Sequence, residues 1–260
     1  MRIATWNVNS LKARLPRVEE FLGYADVDVL CLQETKLSDK AFPALTFESL
    51  GYTTAHHGQG QWNGVAILSR VGLDAPAHGF GDAHVDPYEG DARVIAATCG
   101  GIRIVSVYVP NGRQVGTEFY DRKLEWFASM HDWIAANNAP TDPLVVCGDY
   151  NVAPEDRDVW DITKFAGATH VTEPERAAVR RLEEWGMTDL FRQVHPGDDR
   201  LYTYWDYRSG DFHQHRGMRI DLLLGTAPVA ARTTWAVVDR NARKGTSPSD
   251  HAPVIVDLTD

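Results

Sequence analysis

The sequence predicts an α/β (α+β) fold of four layers, αββα, in which two β-sheets pack face to face and helices cover their outer faces. Three observations carry that expectation: short β-branched or apolar runs recur along the chain, helical patterns are few, and each helix is inserted after a strand. No linker, low-complexity tract or fixed-period repeat interrupts residues 1–260, so one domain is expected over the whole length.

The elements follow in chain order. Residues 2–8 (RIATWNV) and 27–33 (VDVLCLQ) read as the first strands. Between them Leu11, Leu15, Val18, Phe21 and Leu22 recur at helical spacing, with Ser10 placed to cap the helix and Pro16 tolerated in its early turns. Strands are next predicted over 63–70 (NGVAILSR), 92–99 (ARVIAATC) and 102–109 (IRIVSVYV). A longer helix covers 117–137, its stripe being Tyr120, Leu124, Phe127, His131 and Ile134. After a strand at 143–148 (PLVVCG) comes a helix near 174–185, where Thr172 and Glu175 have capping-box spacing and Pro174 lies in the first turn. Runs at 219–224 (RIDLLL), 234–238 (TWAVV) and 252–258 (APVIVDL) complete the strands. Cys31, Cys99 and Cys147 each sit in an apolar run, are odd in number and lack CxxC spacing, which reads as small buried apolar residues in a reducing compartment.

Composition narrows the class. With 43% apolar residues the chain can bury an ordinary core, and no apolar run approaches the roughly 20 residues that span a bilayer. The N-terminal MRIATWNVNS has no signal-peptide apolar region, so a cytoplasmic protein without membrane contact is expected, a monomer by default. The chain has 26 basic and 36 acidic side chains, a net charge of −10 with histidine neutral. That balance argues against coating nucleic acid by global attraction. It leaves nucleic acid open as a substrate, because charges are screened within about 8 Å at physiological salt and a local basic rim can outvote the total.

Strand ends collect groups that a fold alone does not require. Asn7 closes the first strand and Glu34 the second; Tyr108 lies near the end of another; Asp149 and Asn151 follow an apolar run; Asp221 interrupts RIDLLL; Asp250 and His251 open the last strand. A carboxylate inside RIDLLL is costly unless paired or metal-bound. Taken singly, each residue has an ordinary explanation as a turn former, helix-start acid or ion-pair member. Jointly they form an inventory for metal-assisted phosphoester hydrolysis.

Six blocks carry a family resemblance. WNVNSLKAR (6–14), LQETK (32–36), YVPNG (108–112), GDYNVAP (148–154), RIDLLL (219–224) and SDHAPV (249–254) resemble, in order, the signature blocks of the exonuclease III family of abasic-site endonucleases, within the endonuclease, exonuclease and phosphatase superfamily. The resemblance implies the αββα fold and a divalent-metal-dependent DNA repair nuclease that cuts 5′ to abasic sites, removes 3′ blocking groups and degrades duplex DNA 3′→5′. Mg²⁺ or Mn²⁺ suits the hard oxygen donors, with Glu34 the first choice of ligand. By resemblance Asn7, Asp149, Asn151 and Asp250 border the same ion or a second, weaker position, while Asn9 stands where some relatives carry Asp. The same resemblance implies Asp149 as general base, Asn151 as orienter of the attacking water, His251 at the scissile phosphate and Asp221 as the carboxylate that orients it. Tyr108 and Asn111 are expected at phosphate oxygens, a phenolate form of Tyr108 being one option.

Substrate choice is expected elsewhere. Tyr204 and Trp205, with Met218 and Ile220 beyond them, resemble the family's apolar slot for a base-less deoxyribose turned out of duplex DNA. Arg200, Arg208, His213, His215, Arg216 and Arg219, and a second run of Arg240, Arg243 and Lys244, are expected at phosphates. Two other readings compete. A superfamily phosphatase acting on inositol phosphates or phospholipid headgroups would share GDxN and SDH but carry a basic or membrane-facing loop in place of the slot. A catalytically dead DNA-binding or scaffold protein would have no use for the buried carboxylates.

Overall fold

A computed structural model describes residues 1–81 and 83–259. The chain runs β1 (Arg2–Asn7), α1 (Leu11–Ala25), β2 (Val29–Gln33), α2 (Ala44–Ser49), β3 (Thr53–His57), β4 (Val65–Ser69), β5 (Asp74–His78), β6 (Val94–Cys99) and β7 (Ile102–Tyr108). It continues through α3 (Glu118–Asn137), β8 (Leu144–Asp149), α4 (Glu173–Trp185), β9 (Met187–Asp189), α5 (Leu190–Val194), β10 (Asp221–Thr226), α6 (Ala227–Ala230), β11 (Thr233–Val238) and β12 (Val254–Leu258). Two six-stranded mixed sheets result, ordered β11-β12-β1-β2-β4-β3 and β5-β6-β7-β8-β10-β9.

Side-chain alternation explains how the layers stack. In β1, Ile3 joins a core shared by both sheets, whereas Ala4 and Trp6 face the other way, onto Val18, Phe21 and Leu22 of α1. In β8, Val145 and Cys147 face the inter-sheet core while Leu144 and Val146 meet Trp126, Phe127 and Met130 of α3 and Val179 and Leu182 of α4. The four-layer expectation therefore holds. Cys31, Cys99 and Cys147 are buried in the inter-sheet core with free thiols, as their apolar settings imply.

Near one end of the sandwich the core turns polar. Gln33 of β2 donates to Ser106 of β7 across the sheets at 3.0 Å and to the Thr5 hydroxyl at 3.0 Å. Wholly buried groups of this kind must be mutually satisfied, and these are.

The structure alters two local expectations and keeps a third. Ser10 precedes α1 but makes no side-chain cap; its N–H donates to the Glu34 carbonyl at 2.7 Å, and Leu11 N–H donates to the Thr35 carbonyl at 2.9 Å. Backbone carbonyls after β2 thus do the capping, which ties α1 to the turn carrying Glu34. In α3 the buried stripe is Tyr120, Lys123, Trp126, Phe127, Met130, Trp133 and Ile134, with Leu124 and His131 only half-buried at its side. The capping box of Thr172 and Glu175 opens α4 as its spacing predicts.

Candidate active site

Alternation and sheet direction bring the site together. β1 and β2 run parallel, as do β7 and β8, so Asn7, Tyr108, Asp149 and the residue after Gln33 finish at the same end of the sandwich. Asn7 is in phase with Ile3, Tyr108 with Ile102 and Ile104, and Asp149 with Val145 and Cys147; each therefore faces the space between the sheets. Antiparallel β10 starts at that end, pairing Asp221 with Asp149, and Asp250 and His251 arrive just ahead of antiparallel β12. The apolar inter-sheet layer is capped by a cluster of polar side chains.

Backbone detail sharpens the aim. Glu34 and Asn151, each just past the end of a strand, both occupy the left-handed region, at φ 51° and 50°, a costly conformation for a non-glycine residue that clusters at functional sites. Gly148, beside Asp149, has no alternative: a Cβ there would lie 1.9 Å from the Val107 carbonyl oxygen of β7.

The resulting cleft encloses about 180 Å³ and is lined by Glu34, Tyr108, Asn111, Asp149, Asn151, His170, Tyr204, Met218, Ile220, Asp250 and His251. Asn7 lies beneath, its amide donating to Glu34 at 2.8 Å and Asp149 at 2.9 Å, while its Oδ1 accepts from Asn9 N–H at 3.0 Å. In this orientation Asn7 gathers the two carboxylates and turns its own oxygen away from them. Asn9 donates to Asp250 at 3.2 Å and accepts from Lys36, whose ammonium also pairs with Glu34 at 2.9 Å. Asn151 donates to the Val109 carbonyl at 3.0 Å and accepts from Asn111 at 3.1 Å. His251 Nδ1 lies 2.8 Å from Asp221 Oδ2, and its Nε2 faces Asp149 across 3.9 Å.

Protonation follows from burial and charge. Burial raises the Asp149 carboxyl, and the Asp221 and Glu34 carboxylates raise it further against the pull of His251. For His251 burial acts downward, yet Asp221 and Asp149 outweigh it and hold the imidazole protonated well above its usual range. Burial also works against ionised Glu34, but Lys36 and the Asn7 amide lower its carboxyl below the ordinary value. Tyr108 is pushed upward by burial and by the Glu34 and Asp149 charges, so it stands in this site as a neutral phenol and not as a phenolate.

The specificity residues divide. Tyr204, Met218 and Ile220 form one wall, with Tyr204 and Met218 bridged through backbone and the Tyr204 ring 4.9 Å from that of His251. Trp205 is a correction: its neighbour Tyr204 already faces the cleft, and Trp205 is wholly buried against Tyr202 and Phe212 behind it. Of the basic residues expected at phosphates, Arg219 and Arg243 are corrected, whereas Arg200, Arg208, His213, Arg240 and Lys244 are exposed. Arg208 pairs with Asp206 and Arg216 with Asp211, and Arg219 is buried between Asp158 and Asp189 at 2.7 and 2.6 Å. Arg243 is buried against Tyr207 and Phe212. At the rim, Arg14 donates to the Asn9 carbonyl and the Tyr207 hydroxyl, and Arg113 lies 3.7 Å over the Phe119 ring, guanidinium groups held by neutral partners.

His170 and Lys36 reach the site without having been singled out in the sequence. His170 sits in a loop with no apolar run to mark it; the capping box at Thr172 was the nearest signal. Its Nδ1 lies 2.6 Å from the Asn151 carbonyl, and burial together with nearby Lys123 lowers its pKa.

A family model described as the endonuclease/exonuclease/phosphatase family matches residues 4–251. The chain belongs to that family. Among curated members, the exodeoxyribonuclease III of Haemophilus influenzae is 31% identical, the match covering 98% of each chain. Among solved members, a Neisseria 3′ phosphatase bound to a product DNA hairpin is 37% identical with a TM-score of 0.94, and an AP endonuclease from Archaeoglobus fulgidus is 34% identical with a TM-score of 0.95. Both structural matches cover 100% of each chain, so the two packed sheets and their flanking helices are the fold of these family members. No helix among the described residues is long and apolar enough to cross a membrane.

Proposed function

We propose that this family member is a divalent-metal-dependent DNA repair nuclease hydrolysing phosphodiesters 5′ to abasic sites, removing 3′ blocking groups and acting as a 3′→5′ exonuclease on duplex DNA. The observation that carries the reading is the convergence of Glu34, Asp149 and His251, whose carboxylate oxygens and imidazole nitrogen lie within 4.8 Å of one another at the base of an open cleft. The names of the relatives supply the substrate class, and the wall of Tyr204, Met218 and Ile220 favours a sugar lacking its base over a phospholipid headgroup, which would call for a basic or membrane-facing loop.

The donor set suits a hard cation. Glu34 and Asp149 converge on one amide donor, and Asp250 completes an oxygen-rich wall, the chemistry that Mg²⁺ or Mn²⁺ selects. Asp221 and Nδ1 of His251 are committed to each other, which leaves Glu34, Asp149 and Asp250, with Asn151 Oδ1 near, to hold the ion. When bound, such an ion neutralises charge on the phosphoryl oxygens.

The remaining chemistry belongs to side chains. Asp149 is the base for the attacking water, its carboxylate facing the cleft with Oδ1 held by the Asn151 backbone N–H at 2.9 Å. Asn151, fixed by Asn111 and the Val109 carbonyl, orients that water and a phosphate oxygen. Protonated His251 donates from Nε2 to the scissile phosphate, while Asp221 keeps the proton on Nδ1 and the ring in plane. Tyr108, as a phenol, donates to a phosphate oxygen beside Asn111. We infer that the chain acts on duplex DNA as a monomer in the cytoplasm.

The test is incision of an end-labelled duplex carrying one tetrahydrofuran abasic analogue, with Mg²⁺ or with EDTA. Mg²⁺-dependent incision that is lost in Glu34→Ala and His251→Ala is expected. An inert wild type, or full activity in both variants, overturns the reading.

A further inference from the structure

Beneath the cleft lies an ion pair that the chemistry above does not use. Lys123, on the inward stripe of α3, and Glu175, in the first turn of α4, are both 0% exposed, and their charged atoms meet at 2.5 Å. The Lys123 ammonium also donates to the backbone carbonyl of Asn151 at 2.8 Å and to that of Asn111 at 3.3 Å. Glu175 accepts from the Thr169 hydroxyl at 2.6 Å and from the His170 backbone N–H at 3.0 Å, while its second oxygen closes the capping box with Thr172. His170 returns to the Asn151 carbonyl at 2.6 Å. Three cleft residues, Asn111 on the connection after β7 and Asn151 and His170 at the two ends of the long connection from β8 to α4, thus hang from one buried ammonium and one buried carboxylate.

Stability alone gives weak grounds for such a pair. Two charges withdrawn from water lose much of their hydration, and apolar side chains of similar volume commonly serve as well or better in that place. The stripe on which Lys123 sits is otherwise aromatic and aliphatic, so a methionine there would extend the core of α3 without interruption. What an apolar pair could not do is hold two carbonyls, one hydroxyl and one N–H at fixed positions. The carbonyls in question belong to Asn111 and Asn151, whose side chains are hydrogen-bonded to each other at 3.1 Å on the cleft side.

We infer that Lys123 and Glu175 are positioning residues for catalysis, setting the spacing of the Asn111 and Asn151 loops against the strand end that carries Asp149. The inference rests on the proposed phosphodiesterase site. Loss of the pair loosens the two asparagines, and misplacement of that kind acts on the chemical step more than on binding, because both line the cleft where the proposed reaction takes place.

The experiment compares wild type, the double variant Lys123→Met with Glu175→Leu, Asn111→Ala, Asn151→Ala, and the triple variant that adds Asn111→Ala to the double. Each is assayed for melting temperature and for kcat and KM on the tetrahydrofuran duplex with Mg²⁺. The double variant is expected to melt below the wild type, because it opens the capping box of α4 and leaves the two carbonyls and the His170 N–H without partners, to lose kcat by about tenfold or more, and to keep KM within about threefold. Its loss and that of Asn111→Ala are expected to be non-additive in the triple variant, since both act through the same loop. Wild-type kcat in the double variant, or fully additive losses, overturns the inference. Should the double variant not fold, Thr169→Val removes only the hydroxyl between Glu175 and the Asn111 carbonyl; a wild-type kcat in that variant then overturns the inference. Wild-type kcat in Asn151→Ala would instead overturn the site reading on which it stands.

Discussion

His251 Nδ1 and Asp221 Oδ2 stand 2.8 Å apart, both almost wholly buried, at the meeting of β10 with the segment entering β12. The carboxylate thereby fixes which ring nitrogen faces the cleft, because a proton held on Nδ1 leaves only Nε2 to address a phosphate. Asp221→Asn keeps the shape but no longer stabilises a protonated ring. The expected outcome is a kcat lower by about a hundredfold with folding retained, measured on the tetrahydrofuran duplex together with a thermal melt. A variant as fast as wild type would show that the pair is structural only.

Glu34 and Asp149 share the Asn7 amide and repel each other, so a divalent ion should stabilise the folded chain as well as activate it. At a hundredfold excess over its Kd, Mg²⁺ is expected to add about 2.7 kcal/mol to the free energy of unfolding. Glu34→Gln should abolish most of that gain. Thermal melts with Mg²⁺ or EDTA, independent of turnover, provide the check, and equal Mg²⁺-induced shifts in wild type and variant would remove Glu34 from the ion's ligands.

Much of this architecture is legible in the sequence because buried strands advertise themselves. The runs ending at Asn7, Gln33, Tyr108 and Asp149 are interior strands whose apolar residues face two layers of core. β3, β5 and β9 escaped notice for the complementary reason. Each lies at a sheet edge, β5 is exposed along its whole length, and β9 has 3 residues, so none needs an apolar run. The same logic separates the site residues. A polar group breaking an apolar strand, such as Asp221, stands out. Lys123 does not, because one lysine on an amphipathic helix reads as surface until the packing of α4 is known. Arg219 misled in the opposite direction: its Asp158 partner is remote in sequence, so nothing local signals the pairing.

The apolar wall offers a separation of activities. The Tyr204 ring lies against His251, so its removal would disturb catalysis as well as fit, whereas the Met218 side chain packs with Val159, Ile220 and Ala153. Met218→Ala should therefore cut kcat/KM for tetrahydrofuran incision by about tenfold while leaving 3′-phosphate removal within about threefold of wild type. Parallel kinetics on the two substrates decide the point, and equal losses would take Met218 out of the sugar slot.

Behind the same wall, Asp158 couples stability to acid. Burial would raise its carboxyl, but Arg219 and Arg192 outweigh that and lower it below the ordinary 3.8. A carboxyl lowered by folding contributes stability that is fully present above the unfolded value and is lost as pH falls through the folded one. The Asp158 contribution is therefore complete at pH 5 and above, and it declines as pH falls below about 4. Asp158→Asn leaves Arg219 with Asp189 alone and is expected to lower stability by about 3 kcal/mol at pH 7, with a shallower decline in acid than wild type. Urea midpoints measured from pH 7 down to pH 3 test both statements, and a variant whose curve runs parallel to wild type throughout would show that Asp158 is not the group being titrated.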